Sequence, residues 1–120
     1  MLVIAGNFYK FVPTNNVSSM KSARQLDKKQ ILTILRQHRG AMQAMGVEKI
    51  ALFGSYARGT AQHGSDVDLL VELKEPKYLV LLQLTDYLTE LLGSKVDLVR
   101  KGPHLKARFL EAVKKDLAYI

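Results

Sequence analysis

Between Lys49 and Val99, three short apolar runs alternate with segments whose apolar residues recur at helical spacing, and this alternation constrains the fold more than any other feature. Lys49-Ile50-Ala51-Leu52-Phe53 is stopped by Gly54, Asp66-Val67-Asp68-Leu69-Leu70-Val71-Glu72 is closed by Glu75-Pro76, and Lys95-Val96-Asp97-Leu98-Val99 alternates by twos. Runs of this length bounded by breakers are strands. Around them, a helix is predicted over Asp27 to Met45, with Ile31, Leu32, Leu35, Met42 and Met45 on one face. A short helix is predicted from about Ser55 to Thr60. A third runs from Tyr78 to Leu92 on Leu81, Leu84, Leu88, Leu91 and Leu92, with Gly93 after its end. The last starts at Gly102-Pro103, with Pro103 at its first position and Leu105, Phe109, Val113 and Leu117 on one side. Helices alternating with strands make a layered α/β domain with a small sheet. A fourth strand is expected from Leu2 to Ile4 or from Ala118 to Ile120.

At 120 residues the chain holds one domain. Residues 25–120 are assigned to it. Residues 1–24 are read as a flexible extension, because Pro13, Asn15, Asn16, Ser18 and Ser19 favour turns and coil. Met20, just before the first helical pattern, is a candidate natural start, with residues 1–19 dispensable. No apolar run approaches the roughly 20 residues of a membrane span, and the opening residues make a poor signal peptide, so a cytoplasmic protein is expected. The chain has no cysteine, which excludes disulfide scaffolds and thiolate metal sites. Its histidines, His38, His63 and His104, are too scattered for a zinc or haem site. Any metal would be held by oxygen, which points to magnesium or manganese.

The net charge of +7 is unevenly placed. Residues 50–99 are acidic, while the stretches on either side are basic. Basic flanks are most often solvated helix faces, although nucleotide phosphate, RNA or an acidic partner would also meet them; the solvated reading is favoured, and direct nucleic-acid binding is not expected.

The chemistry gathers at Gly54-Ser55 after the first strand, Asp66-x-Asp68 on the second and Asp97 on the third. Alternate strand residues share a face, so Asp66 and Asp68 point the same way, roughly 7 Å apart. Asp97 joins them if the strands are neighbours. Crowded carboxylates raise one another's pKa unless a cation neutralises them, and a hard divalent ion that completes its shell with water and phosphate oxygens is the natural one. Two such ions would serve transfer of a phosphoryl-linked group. At Gly54 the backbone can come close to a ligand, Ser55 offers a hydroxyl, and the N–H groups opening the short helix suit a triphosphate.

Either motif alone is weak, because Gly-Ser turns and acidic strand ends are common. Jointly, Gly54-Ser55, ten residues, Asp66-x-Asp68 and a later strand with Asp97 resemble the nucleotidyltransferase superfamily related to DNA polymerase β. The text Gly54-Ser55-Tyr56-Ala57-Arg58-Gly59 through Ser65-Asp66-Val67-Asp68-Leu69-Leu70-Val71 looks like the minimal nucleotidyltransferases, called MNT, over about Leu26 to Leu117. The resemblance implies a small mixed β-sheet packed on helices, ATP as substrate, and two magnesium ions. Gly54 and Ser55 would hold the β and γ phosphates, Asp66 and Asp68 would ligate both metals, and Asp97 would complete one metal site and help deprotonate the acceptor hydroxyl. Arg58 is assigned either to phosphate or to bracing the loop from Gly59 to Ser65.

Larger members of the superfamily carry a domain for their acceptor, and little follows Asp97 here except one helix. MNT proteins typically act as antitoxins of HEPN ribonucleases, in some cases by attaching AMP to a tyrosine of the toxin. The resemblance therefore implies a protein adenylyltransferase with a HEPN toxin as partner. The alternatives are an antitoxin that blocks the toxin by contact alone, and an enzyme that modifies a small molecule. His63 is read as an exposed loop residue, His38 as a partly buried structural one, and His104 as solvent-facing. Tyr56 and Tyr119 are read as packing residues. Leu79, Val80, Leu81 and Leu82 are more apolar residues in succession than one helix stripe buries, so part of this run is expected to meet a partner.

Overall fold

Asp27 opens the first helix with a reciprocal cap: its carboxylate accepts from the Gln30 backbone N–H at 2.8 Å, and its own N–H donates to the Gln30 side chain at 2.9 Å. The computed structural model describes residues 26–120. The expectations for a strand at Leu2 to Ile4 and for a flexible segment before residue 25 lie outside the described residues. In chain order the elements are α1 (Lys28–Gln37), α2 (Arg39–Ala44), β1 (Val47–Phe53), α3 (Gly54–Arg58), β2 (Val67–Leu73), α4 (Tyr78–Leu92), β3 (Val96–Arg100), α5 (Ala107–Lys114) and β4 (Ala118–Tyr119).

The helix expected as one piece over Asp27 to Met45 is two. At His38 the backbone leaves the helical region (φ −109°, ψ 16°), and its N–H is shared between the carbonyls of Ile34 and Leu35. The imidazole Nδ1 lies 3.0 Å from the Tyr87 hydroxyl on α4, with the two rings edge to face. This bond fixes the break. Ile31 and Leu35 before it and Met42 after it are all buried, so the apolar stripe survives the interruption.

The four strands lie in the order β3-β2-β1-β4. β1 runs antiparallel to both β2 and β4, whereas β2 and β3 are parallel and joined by α4, so the sheet is mixed. The fourth strand is thus supplied by Ala118–Tyr119. One face of β2, Val67, Leu69 and Val71, is buried in a cluster with Ile31 and Leu35 of α1 and Leu84 and Leu88 of α4. The other face carries Leu70, clustered with Phe53 and Val113, and Phe53 meets Phe109 of α5 edge to face at 5.8 Å. Helices cover both sides of the sheet.

Two further boundaries differ from the sequence reading. α5 begins at Ala107, not at Pro103, because Leu105 donates its N–H to the Gly102 carbonyl at 3.0 Å and turns its side chain into the Phe53 cluster. β2 begins at Val67, which leaves Asp66 just outside the ladder. Tyr56 is buried, as a packing residue should be, whereas Tyr119 is exposed on the edge strand. Among the described residues no helix is long and apolar enough to cross a membrane.

Candidate active site

Sheet register places the acidic residues. Phe53, the last residue of β1, pairs with Asp68, and across the parallel ladder Asp68 pairs with Asp97. In-register residues of neighbouring parallel strands share a face, so the two carboxylates stand side by side. Asp97 is exposed and Asp68 is partly buried, so the pair opens outward at one end of the sheet. Burial first, then the Asp97 charge, then that of Asp66, push the Asp68 carboxyl above its ordinary value, while the Arg58 guanidinium acts in the opposite sense.

Gly54 lies directly against this pair. Its φ is +77°, and a Cβ built there would collide with a carboxylate oxygen of Asp68 while lying 3.0 Å from its Cγ. The chain therefore leaves β1 in a conformation that glycine alone adopts easily, at a distance that no side chain permits. Ser55 follows at the start of α3, and its carbonyl accepts from the Thr60 N–H at 2.9 Å. The loop onward to β2 is pinned by a second reciprocal turn, in which Gln62 donates to the Ser65 hydroxyl and Ser65 donates to the Gln62 carbonyl, both at 2.9 Å. His63, at its tip, is exposed, and so is His104 beside Arg100.

Of the expected trio the structure brings Asp68 and Asp97 together, and the Asp66 charge acts on Asp68. Among the described residues no three Asp, Glu, His or Cys side chains converge closely enough to hold a metal ion by themselves. The reason is the strand boundary: Asp66 precedes the ladder, so the pleat does not hold its side chain in line with Asp68. An oxygen-only donor set of two adjacent carboxylates with a third in range, Asp68 being disfavoured as an anion by the other two, fits a hard divalent cation that takes its remaining ligands from water and phosphate.

Arg58 ends α3 and donates from Nη1 to Asp116 Oδ2 at 3.0 Å, in the turn between α5 and β4. It braces this chain segment, and not the Gly59 to Ser65 loop. Asp116 carries no signal in the sequence, since nothing local marks a lone acid 58 positions from its partner. A separate groove of about 360 Å³, lined by Arg39, Met42, Lys49, Tyr119 and others, lies along the opening half of β1 and includes none of the acidic trio.

Residues 28–119 match the family described as the nucleotidyltransferase domain. Protein adenylyltransferase MntA of Thermococcus cleftensis is 40% identical over 97 residues, 79% of this chain and 97% of the relative. A solved structure of a proposed minimal nucleotidyltransferase superposes with a TM-score of 0.67 at 30% identity, covering 78% of this chain and 96% of that one. A crystal structure of a toxin-antitoxin with AMP-PNP superposes at 0.57 and 26% identity, covering 78% and 72%.

Proposed function

Because the chain belongs to the nucleotidyltransferase domain family, we propose that it is an antitoxin enzyme that transfers AMP from ATP to a hydroxyl of a HEPN ribonuclease toxin, a tyrosine in the first instance. The observation that carries this reading is the Asp68–Asp97 register pair set against Gly54. A steric antitoxin has no use for an Asp68 carboxyl pushed up by burial and by its neighbouring acids, a crowding that suits a site where a cation and a phosphate are to be bound. The name of the Thermococcus relative and the nucleotide analogue in the toxin-antitoxin structure support the choice of ATP and of a protein acceptor.

In this reading the acceptor oxygen attacks the α-phosphorus of ATP, a new P–O bond forms, the bond to the β-phosphate oxygen breaks, and pyrophosphate leaves. Bound magnesium ions supply charge neutralisation at the carboxylates and phosphates. Asp66, Asp68 and Asp97 hold those ions. Asp97, the exposed member, also takes the acceptor's proton at its carboxylate. Gly54 and Ser55 hold the β and γ phosphates, and the missing side chain at Gly54 lets the Asp68 carboxylate lie directly against the same turn. Arg58 lends positive charge beside Asp68.

Intact mass spectrometry of the toxin, after incubation with this protein, ATP and magnesium, tests the reading. A gain of one or more AMP units is expected, absent with Asp66→Asn/Asp68→Asn. A toxin silenced by complex formation with no mass gain would instead mean neutralisation by contact.

A further inference from the structure

We infer that Asp116 is a positioning residue for nucleotide binding, holding the Arg58 guanidinium beside the carboxylate site so that its remaining N–H groups face incoming phosphate. The inference rests on the phosphate-transfer reading above. Arg58 lies three residues after Ser55 on α3, so the two share a helix face. It carries five N–H donors in a rigid fork, and Asp116 accepts from Nη1 at 3.0 Å. Half of the Arg58 side chain remains in solvent, whereas only a fifth of Asp116 does. The pairing is therefore lopsided: a fixed acid holds a reachable cation.

Asp116 is itself fixed. Its N–H donates to the Val113 carbonyl at 2.9 Å, closing the end of α5, and two residues later Ala118 enters the ladder opposite Leu52. Val113 belongs to the cluster that contains Phe53, the residue paired with Asp68. The acid is thus anchored to the same sheet that sets the carboxylates. An exposed arginine without a partner spreads over many rotamers and must be ordered when it binds phosphate, whereas one already held has less freedom to lose. Arg58 ends the short helix that Gly54 opens, and Gly54 lies directly against the Asp68 carboxylate, so the guanidinium springs from a point about one helical turn from the site, in agreement with its charge acting on Asp68.

Calorimetric titration with AMP-PNP and magnesium, on wild type, Asp116→Ala, Asp116→Glu, Arg58→Ala and the Arg58→Ala/Asp116→Ala double variant, tests this. Asp116→Ala is expected to weaken binding about two- to tenfold, from the ordering of one long side chain. Asp116→Glu should recover most of the loss, and the double variant should bind no worse than Arg58→Ala. If Asp116→Ala costs as much without Arg58 as with it, Asp116 merely supports the fold, and the inference is overturned. Unchanged affinity in Asp116→Ala overturns it as well. Should Asp116→Ala fail to fold, Asp116→Asn keeps the shape and removes the charge, with the same expectation. AMP transfer to the toxin is read separately: the expected binding pattern without transfer removes the reaction and leaves the Asp116 assignment standing, while wild type that binds no AMP-PNP removes both.

Discussion

Replacing Gly54 with alanine should damage both stability and activity, for two separable reasons. At φ +77° an L residue pays about 1–2 kcal/mol in backbone strain. The added Cβ also meets the Asp68 carboxylate, which is backed by the pairing of Asp68 with Phe53 on one side and Asp97 on the other. Inserting a methyl group into such a packed position typically costs about 1–3 kcal/mol more. Together the loss is about 2–5 kcal/mol, a large share of the roughly 5–15 kcal/mol that holds a domain folded. Gly59 is the matched control, because its φ is +78° and nothing lies within 4 Å of a Cβ built there. Gly59→Ala should therefore show the backbone part alone. Urea unfolding of both variants measures the difference, and repeating Gly54→Ala in an Asp68→Ala background isolates the contact, since only a Cβ at 3.1 Å would then remain. There the cost should drop most of the way to that of Gly59→Ala. Equal costs in the two backgrounds would refute the close approach of Gly54 to Asp68. AMP transfer by Gly54→Ala should be lost even where the protein is still folded, because the displaced group is a carboxylate of the site.

In metal-free buffer, Asp68→Asn should raise the melting temperature at neutral pH, and with magnesium and ATP supplied the same variant should lose transfer. Burial and the neighbouring acids disfavour ionised Asp68, so its charge costs stability above its raised folded pKa; the cost fades as pH falls through that value and is gone below the ordinary value of 3.8. A melting temperature measured against pH with a chelator present should rise on mild acidification less in Asp68→Asn than in wild type, and a destabilised Asp68→Asn would contradict the account. In the core, Leu88→Ala should cost about 2–5 kcal/mol, because Leu88 is fully buried between α4 and the sheet. Leu79→Ala, by contrast, should fall within about 0.5 kcal/mol, since Leu79 stands 62% exposed; chemical denaturation of the pair checks this contrast.

The exposure of Leu79 and Leu82 agrees with the surplus of apolar residues read in the sequence there. Patterning of this kind is local, and local features were readable: α4 spans Tyr78–Leu92 as its leucine stripe and Gly93 require. The break at His38 was not, because it depends on a hydroxyl 49 positions away. The start of α5 is not legible for a related reason, since Pro103 suits a helix start equally well and only the seating of Leu105 in the second cluster selects a turn. At the site, the residue types and their spacing marked Gly54, Asp68 and Asp97, but which carboxylates touch is decided by strand order and register, and neither is encoded within any one segment. The Arg58–Asp116 pair is the extreme case, an arrangement assembled by tertiary structure alone.

The parallel pairing of β2 with β3 also sets which length changes this chain can tolerate over evolutionary time. Strand faces alternate with every residue, so a slip of one position would set Asp68 against Val96 or Leu98 and turn Asp97 away. A displaced register would not give a poorer site but none at all. Register itself is not disturbed by whole turns added to α4, which lie outside both strands. A single extra residue within Val67–Asp68 or Val96–Asp97 is not safe, however conservative its chemistry. Divergence among proteins built on this plan should accordingly accumulate in loops and helix lengths, while those two strand openings keep a fixed count.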